Sequence, residues 1–160
     1  MRVGFGFDTH QLVESRPLII GGISIEHYKG SLGHSDGDVL IHAICDALLG
    51  AMGLADIGTY FPDYNPELAG IDSKILLEKV VNIMDSEGYV ISNIDTTIVL
   101  QKPKLMPFVQ KMKETLCPLL SINTNQMGIK AKTSEKMGFI GREEGVSAYA
   151  IVLISTKTNS

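Results

Sequence analysis

The chain has 160 residues, a formal net charge of −4 and a pI near 5.5. This length suits a single domain over residues 1–160, and 44% apolar with 20% charged residues is typical of globular proteins rather than disordered or fibrous ones. The acidic balance provides no general electrostatic surface for nucleic acid or for an anionic membrane, so we expect neither as a partner.

The N-terminal half of the sequence predicts strands followed by a helix. Arg2–His10 predicts a strand, and the apolar run Pro17–Ile25 contains a glycine pair, Gly21–Gly22, where a bend or bulge would lie. Apolar residues then recur at helical spacing after the sequence HSDGD. We expect Ser35 to be the N-cap of this helix and Asp38 to lie in its first turn.

Helices and strands alternate in the rest of the chain. A helix capped by Asp72 or Ser73 is expected to end at Gly88. The later predicted elements are a strand over Tyr89–Gln101, a helix from Pro107 to about Leu116, a strand over Gln126–Thr133 and a last strand over Gly145–Ser155. The pattern predicts an α+β fold in which a mixed β-sheet carries helices on one face.

The last strand is apolar on both of its faces. One alternating set of side chains runs from Val146 to Val152, and the other comprises Tyr149, Ile151 and Leu153. Helices on one side of the sheet leave the second set uncovered, and another copy of the chain would cover it. We therefore predict a homo-oligomer; the alternative is that the N-terminal hairpin folds across this face.

The cysteines and the N-terminus predict a cytoplasmic protein. Cys45 and Cys117 lie far apart without CxxC spacing, so neither a disulfide framework nor a thiolate zinc site is indicated. The start, MRVGFGFDTH, lacks the pattern of a signal peptide, and no apolar run reaches the ~18 residues of a membrane span.

Three side chains suggest a metal site. Asp8 and His10 are two residues apart near the end of the first strand, so both leave the same face. His42 follows Asp38 by one helical turn. Two imidazoles and a carboxylate suit Zn²⁺ with a fourth position open for substrate, although the spacing alone is also compatible with a chance grouping.

Other segments suggest phosphate binding. His34 and Ser35 lie where the helix is expected to begin, a position that favours anions but also fits plain capping. The segments Lys102–Lys104 and Lys130–Glu135 combine cations, hydroxyls and a carboxylate, which suit a nucleotide diphosphate and its divalent ion. Taken singly, such segments are also found as solvated loops.

Five segments in order, GFDTH, HSDGDVLIHAICDALLGAMGLADIG, FPD, QKPKL and KAKTSEKMGFIGREEG, closely resemble the 2-C-methyl-D-erythritol 2,4-cyclodiphosphate synthase family over almost the whole chain. The resemblance implies a phosphorus–oxygen lyase of the non-mevalonate isoprenoid pathway. Its reaction would convert 4-diphosphocytidyl-2-C-methyl-D-erythritol 2-phosphate to the 2,4-cyclodiphosphate with release of CMP. It also implies a homotrimer whose sheets surround a central apolar channel and whose sites lie at subunit interfaces.

The same resemblance implies roles for individual residues. Asp8, His10 and His42 would bind Zn²⁺, Glu135 would bind a second divalent cation, Mg²⁺ or Mn²⁺, and His34 with Thr133 would act in catalysis. The residues implied to contact the substrate are Asp8, Thr9, His10, His34, Ser35, Asp56, Ile57, Gly58, Phe61, Pro62, Asp63, Tyr64, Asn65, Leu100, Gln101, Lys102, Pro103, Lys104, Leu105, Met106, Lys132, Thr133, Ser134, Glu135, Phe139 and Arg142.

Several assignments have alternatives. Lys132 stands where several family members carry threonine and adds a cation near the expected diphosphate. Asp38 and Asp46 share the helical face of His42, where each would either orient its free ring nitrogen or be a solvated carboxylate, and Cys45 is expected to pack as a small apolar residue. The competing functions are a zinc-dependent phosphoesterase and a trimeric prenyl-diphosphate carrier with a structural metal.

Overall fold

The computed structural model describes residues 1–62 and 64–157, with the backbone alone for Glu67. The strands are β1 (Arg2–Glu14), β2 (Leu18–Ile20), β3 (Ile23–Ile25), β4 (Lys29–Leu32), β5 (Tyr89–Val99), β6 (Met127–Lys132) and β7 (Gly145–Thr156). The α-helices are α1 (Val39–Met52), α2 (Ile57–Tyr60), α3 (Ser73–Ser86), α4 (Val109–Leu119) and α5 (Gly138–Gly141), and short 3₁₀ turns cover Pro66–Leu68, Met106–Phe108 and Thr124–Gln126.

A five-stranded mixed sheet has the strand order β4-β1-β7-β5-β6. The pairs β1/β4, β1/β7 and β5/β7 are antiparallel, whereas β5 and β6 are parallel and are joined through α4. The predicted α+β class and the mixed sheet are confirmed.

The expected bend at Gly21–Gly22 is a tight hairpin turn between β2 and β3. Both glycines have positive φ, 63° and 73°, which fits a turn that side chains would strain. The hairpin packs against α1 and α4, on the helical side of the sheet. It therefore does not cover the opposite face, contrary to the alternative considered from sequence.

Helix α1 lies directly on β1 and β7. An added Cβ at Gly4 would lie 1.8 Å from the carbonyl oxygen of Ala47, and at Gly6 it would lie 1.9 Å from that of Ala43. Side chains are excluded at both strand positions, so the helix backbone approaches the strand closely. Helix α3 packs on the other side of α1, which explains why most of α1 is buried.

The opposite face of the sheet is apolar and exposed. Val3, Phe5 and Phe7 of β1 pair with Leu153, Ile151 and Tyr149 of β7. In five of these six residues, Leu153 being the exception, 39% to 68% of the surface is exposed in the isolated chain. The alternate residues of β7, by contrast, are fully buried under α1; they are Val146, Ala148, Ala150 and Val152. The last strand is apolar on both faces, and one of these faces is covered while the other is exposed.

The N-cap of α1 is Asp38, and the expectation that Ser35 caps this helix is wrong. Asp38 accepts hydrogen bonds from the backbone N–H groups of Leu40 and Ile41, both at 3.1 Å. It also accepts from Gly21 at 3.0 Å and from Gly22 at 2.6 Å, so one buried carboxylate ties the hairpin turn to the helix. Asp72 caps α3, as one of the two expected residues.

Within the described residues, every helix is too short or too polar to span a lipid bilayer.

Candidate active site

Asp8, His10 and His42 converge where the end of β1 meets α1. Asp8 and His10 continue the β1 face that carries Gly4 and Gly6, so they point towards the helix that bears His42. Asp8 Oδ2 lies 2.9 Å from His42 Nδ1 and 3.1 Å from His10 Nε2. The two imidazole nitrogens are 3.1 Å apart.

This triangle of atoms fits a small cation. Tetrahedral Zn²⁺ with bonds of ~2.0–2.1 Å holds its ligand atoms roughly 3.3 Å apart. In the described part of the chain, this is the only group of three or more His, Cys, Asp or Glu residues whose ligand atoms lie within 4.8 Å of one another. One cation would satisfy the two nitrogens and the oxygen together, whereas a proton between the imidazoles serves only one pair.

The second ring nitrogen of His42 contacts two serine hydroxyls. Nε2 lies 3.0 Å from Ser35 Oγ and 3.0 Å from Ser73 Oγ. Ser73 is the first residue of α3 and is fully buried, and its hydroxyl donates to Asp36. His42 is therefore held from both sides of its ring.

Charge within the cluster shifts the pKa values of its members. Burial by itself would raise the pKa of Asp8, but the hydrogen bonds and positive charge of His10 and His42 hold it well below its usual range. Burial would lower the pKa of His42, and the hydrogen bond and charge of Asp8 raise it overall. Without a cation, the cluster therefore favours an ionised carboxylate next to a protonated imidazole.

A cavity of about 350 Å³ opens next to the three side chains. Its lining combines the cluster with the loop before α1, helix α2 and the start of α3. The lining residues are Asp8, His10, Leu32, Gly33, His34, Ser35, His42, Ile57, Gly58, Phe61, Leu68, Ile71 and Leu76.

A second cavity of about 220 Å³ lies at the ends of the parallel strands β5 and β6. The two strand ends are joined by a hydrogen bond from the Leu100 N–H to the Lys132 carbonyl oxygen, at 2.9 Å. The lining residues are Leu100, Gln101, Pro103, Lys104, Leu105, Met106, Ala131, Lys132 and Thr133. Among the described residues, none lines both this cavity and the one beside the His/Asp cluster.

Comparison with known proteins decides the family. The YgbB family model matches residues 1–155. The chain belongs to the YgbB family.

Relatives of this YgbB-family chain are enzymes. The 2-C-methyl-D-erythritol 2,4-cyclodiphosphate synthase of Bacteroides fragilis is 57% identical over 155 residues, which covers 97% of this chain and 98% of that protein. A solved structure of a synthase of the same name superposes with a TM-score of 0.89 at 38% identity, covering 96% of this chain and all of that one. IspF of Plasmodium falciparum, solved as a CDP complex, superposes with a TM-score of 0.86 at 33% identity. The match covers 98% of this chain and 97% of that one.

The YgbB-family chain brings together two groups of the residues predicted from sequence. The proposed zinc ligands share the first cavity with His34, Ser35, Ile57, Gly58 and Phe61. Most of the Leu100–Met106 segment shares the second cavity with Lys132 and Thr133. Their predicted contacts with substrate stay predictions.

Other predicted residues lie apart from both cavities. Asp56 caps α2, where its carboxylate accepts from the Thr59 N–H at 2.9 Å, and it lines a separate cavity beside Phe5 and Phe7. Thr9 and Phe139 line a further cavity with His10. Tyr64 is exposed, and Asp63 lies outside the described residues.

The remaining predicted residues lie in the segment after β6 or, in the case of Lys102, in the loop after β5. The Thr133 hydroxyl donates to Glu135 Oε1 at 2.7 Å, and Ser134 donates to the Met137 carbonyl oxygen. The Arg142 guanidinium is paired with the carboxylate of Glu144 through two hydrogen bonds of 3.0 Å. Lys102 Nζ lies 2.9 Å from Glu143 Oε1.

The structure differs from the sequence interpretation at two features near His42. Helix α1 begins at Val39, so His34 and Ser35 do not lie at its N-terminus; His34 Nε2 instead donates to the Asn65 carbonyl oxygen at 3.3 Å. Asp38 and Asp46 do not orient His42 in the structure: Asp38 accepts four backbone N–H groups, and Asp46 accepts the Ile57 N–H at 2.8 Å. Cys45 is fully buried, as expected for apolar packing.

The sequence reasoning missed Ser73, which contacts His42, and Asp36, which accepts the Ser73 hydroxyl. They lie 37 residues apart in the chain, and each has an ordinary local explanation, as a helix-start serine and as a loop aspartate. The only sequence signal was the motif HSDGD, in which Asp36 follows the recognised pair His34 and Ser35.

Proposed function

We propose that this protein converts 4-diphosphocytidyl-2-C-methyl-D-erythritol 2-phosphate to 2-C-methyl-D-erythritol 2,4-cyclodiphosphate and releases CMP. Membership of the YgbB family supports this proposal, as do relatives named for this product and a neighbour solved as a CDP complex. The observation that carries it is the convergence of Asp8, His10 and His42 on the wall of a cavity. We propose further that residues 1–160 form one catalytic domain that works in the cytoplasm.

The substrate carries its own nucleophile. An oxygen of its 2-phosphate attacks the β-phosphorus of the diphosphate, and the bond from that phosphorus to the CMP oxygen breaks, so CMP leaves with the bonding electrons. No protein nucleophile is needed. The task of the protein is to fold a flexible molecule into an in-line arrangement, and positioning of this kind can contribute ~7–11 kcal/mol to lowering the barrier.

The residues of the first cavity suit this task. Asp8, His10 and His42 would hold Zn²⁺, which supplies positive charge to the crowded phosphate oxygens when bound. His34 is exposed at the cavity rim, where its imidazole can donate to a phosphate oxygen. We assign Ser35, with His34, to the phosphate side of the substrate, and Asp56, Gly58 and the Phe61–Asp63 segment to its ribose and erythritol portions.

The residues of the second cavity suit a nucleotide. Leu100 and Leu105 are buried in its wall, while Lys104 and Met106 are exposed at its edge. We assign this cavity to the cytidine, with Lys132 and Thr133 next to the diphosphate. Glu135 accepts from Thr133 and would bind the second divalent cation, Mg²⁺ or Mn²⁺, in the same region.

We propose that the active protein is a homotrimer with its sites at subunit interfaces. The apolar face of Val3, Phe5, Phe7, Tyr149 and Ile151 supports an oligomer, because exposed patches of this kind usually mark interfaces. The described lining residues of the two cavities do not overlap, which is compatible with a site that combines cavities from two copies. Light scattering should give three times the chain mass of 17.4 kDa; a mass of one chain would overturn the trimer.

Metal-dependent release of CMP tests the catalytic part of the proposal. Zinc-loaded protein is incubated with the cytidyl substrate and Mg²⁺, and CMP is measured by chromatography. We expect His42→Ala to abolish turnover while circular dichroism shows that the fold is kept. His27→Ala is the matched control, since His27 makes an edge contact with the Tyr28 ring and lines neither cavity. Wild-type turnover by His42→Ala in metal-buffered solution would show that the zinc assignment is wrong.

A further inference from the structure

We propose that Ser73 and Asp36 fix the tautomer of His42, so that Nδ1 is the nitrogen available to a metal ion. The inference rests on the proposed function, because it concerns the same cluster of Asp8, His10 and His42. Ser73 and Asp36 would act as positioning residues: neither contacts the open side of the cluster, and both act through the far side of the His42 ring.

The direction in which the Ser73 hydroxyl donates its proton determines which nitrogen of His42 is protonated. Asp36 Oδ1 accepts it, and the same carboxylate accepts the backbone N–H groups of Ser73, at 3.0 Å, and of Asp38, at 3.1 Å. An ionised carboxylate can only accept hydrogen bonds, and a serine hydroxyl has a single proton to donate. The proton of Ser73 therefore goes to Asp36, and Ser73 Oγ is left to act as an acceptor.

His42 must then donate through Nε2. Its Nε2 lies 3.0 Å from Ser73 Oγ, so this contact is a hydrogen bond only if Nε2 carries a proton. A neutral imidazole has one N–H group. In neutral His42, Nδ1 is thus the deprotonated nitrogen, and it faces Asp8 Oδ2 and His10 Nε2, where a cation would be bound.

Without this restraint, Asp8 would favour the opposite tautomer. Its Oδ2 lies 2.9 Å from His42 Nδ1 and would readily accept a proton from that atom. The proton would then occupy the site of metal ligation. The pair of Ser73 and Asp36 opposes Asp8 from the buried side of the ring, which resembles the carboxylate contacts that orient metal-binding histidines in general.

Ser35 provides a matched control. Its hydroxyl lies at the same 3.0 Å from His42 Nε2, and it accepts the Gly37 N–H at 3.2 Å. In the described part of the chain, the Ser35 hydroxyl proton has no carboxylate acceptor and can point at His42 Nε2 or at Ser73 Oγ, 3.4 Å away, so Ser35 is compatible with both tautomers of His42. It therefore contacts the ring without selecting which nitrogen is protonated.

The test measures the imidazole nitrogens of His42 by ¹⁵N NMR in metal-free protein, at a pH raised until the His42 signals are those of the neutral imidazole. We expect wild-type His42 to carry its proton on Nε2. Ser73→Ala should move the population towards protonation at Nδ1 and weaken Zn²⁺ binding about 10–100-fold in a chelator competition. Ser73→Thr should restore both readouts, and Ser35→Ala should change neither substantially.

Asp36→Asn is a second variant in case Ser73→Ala does not fold. The neutral amide of asparagine is a weaker acceptor of the Ser73 proton than the Asp36 carboxylate, so this variant should change the same two readouts in the same direction. Wild-type His42 protonated on Nδ1 would overturn the inference. So would a folded Ser73→Ala variant with an unchanged tautomer and unchanged Zn²⁺ affinity. Neither readout uses substrate, so a failure here is distinguishable from a failure of wild-type protein to release CMP.

Discussion

Gly6 lies so close to Ala43 that an added Cβ would stand 1.9 Å from the Ala43 carbonyl oxygen. This approach fixes the distance between β1 and α1. Asp8 lies two residues beyond Gly6, and His42 is the residue before Ala43. The absence of a side chain at Gly6 therefore permits the distance at which the proposed metal ligands meet.

We predict that Gly6→Ala destabilises the fold by about 1–3 kcal/mol or more and weakens Zn²⁺ binding, because the helix must move away from the strand. Urea unfolding and chelator competition measure the two effects. Gly50→Ala is the control, since a Cβ there would lie 3.9 Å from the nearest atom, the Phe5 carbonyl oxygen. Equal stability of the two variants would show that the close approach is not required.

Asp38→Asn should be strongly destabilising. Burial raises the pKa of Asp38 to about 6, so the group is ionised at pH 7 and accepts four backbone N–H groups. An amide has one oxygen, and its NH₂ would face backbone donors, so we expect a loss of about 2–4 kcal/mol in urea unfolding. Asp72→Asn is the comparison, because the described backbone donors to the Asp72 carboxylate comprise the Lys74 N–H alone and asparagine caps helices well. A similar loss in both variants would contradict this account.

Most secondary structure could be predicted from sequence, and the grouping of Asp8, His10 and His42 was suggested by spacing and residue type and implied by the family resemblance. Alternation places Asp8 and His10 on one face of β1, and the residue types are those that zinc prefers. The cap of α1 could not be predicted by local rules, because Ser35 and Asp38 are both good N-cap residues. Asp38 is selected by a non-local contact, since the N–H groups of Gly21 and Gly22 in the hairpin turn also need its carboxylate.

The surroundings of His42 were also beyond sequence reasoning. Helical periodicity placed Asp38 and Asp46 on its side of α1, but periodicity does not say which neighbouring helix approaches the ring. The start of α3 does so and brings Ser73 to Nε2. The uncovered apolar face of β7, in contrast, was predictable, because it depends only on the alternation within one strand.

The stability of metal-free protein should depend on pH through His42. Its pKa is raised: burial lowers it, but Asp8 raises it more. Stabilisation from protonated His42 is complete below the ordinary pKa of 6.5 and is lost as pH rises through the higher folded pKa. We expect the Tm of metal-free wild-type protein to fall above pH 6.5. The Tm of His42→Ala should fall less over the same pH range, because this variant has no imidazole at position 42 to lose a proton.

Zinc should reverse this dependence. Metal binding requires deprotonated His42, so the gain in Tm on adding Zn²⁺ should grow as pH rises through the same range. A Tm difference between wild type and His42→Ala that does not change with pH in metal-free solution would contradict the assigned contact between Asp8 and His42.

Lys104 should govern nucleotide affinity. It is exposed at the edge of the second cavity, where its cation can contact a phosphate or the base. We expect Lys104→Ala to raise KM more than it lowers kcat, because a binding contact far from the reacting phosphorus acts equally in ground and transition states. Lys111→Ala on α4 removes the same charge from an exposed position outside this cavity. Equal losses in kcat and in affinity would instead indicate a structural role for Lys104.

The central claim is that the protein closes a ring and does not hydrolyse its substrate. Phosphorus NMR of zinc-loaded protein with the cytidyl substrate and Mg²⁺ distinguishes the two reactions directly. The account predicts CMP and the 2,4-cyclodiphosphate in equal amounts. CMP accompanied by linear phosphates would indicate a zinc-dependent phosphoesterase, and no turnover by zinc-loaded protein would favour a prenyl-diphosphate carrier; either result would contradict the account.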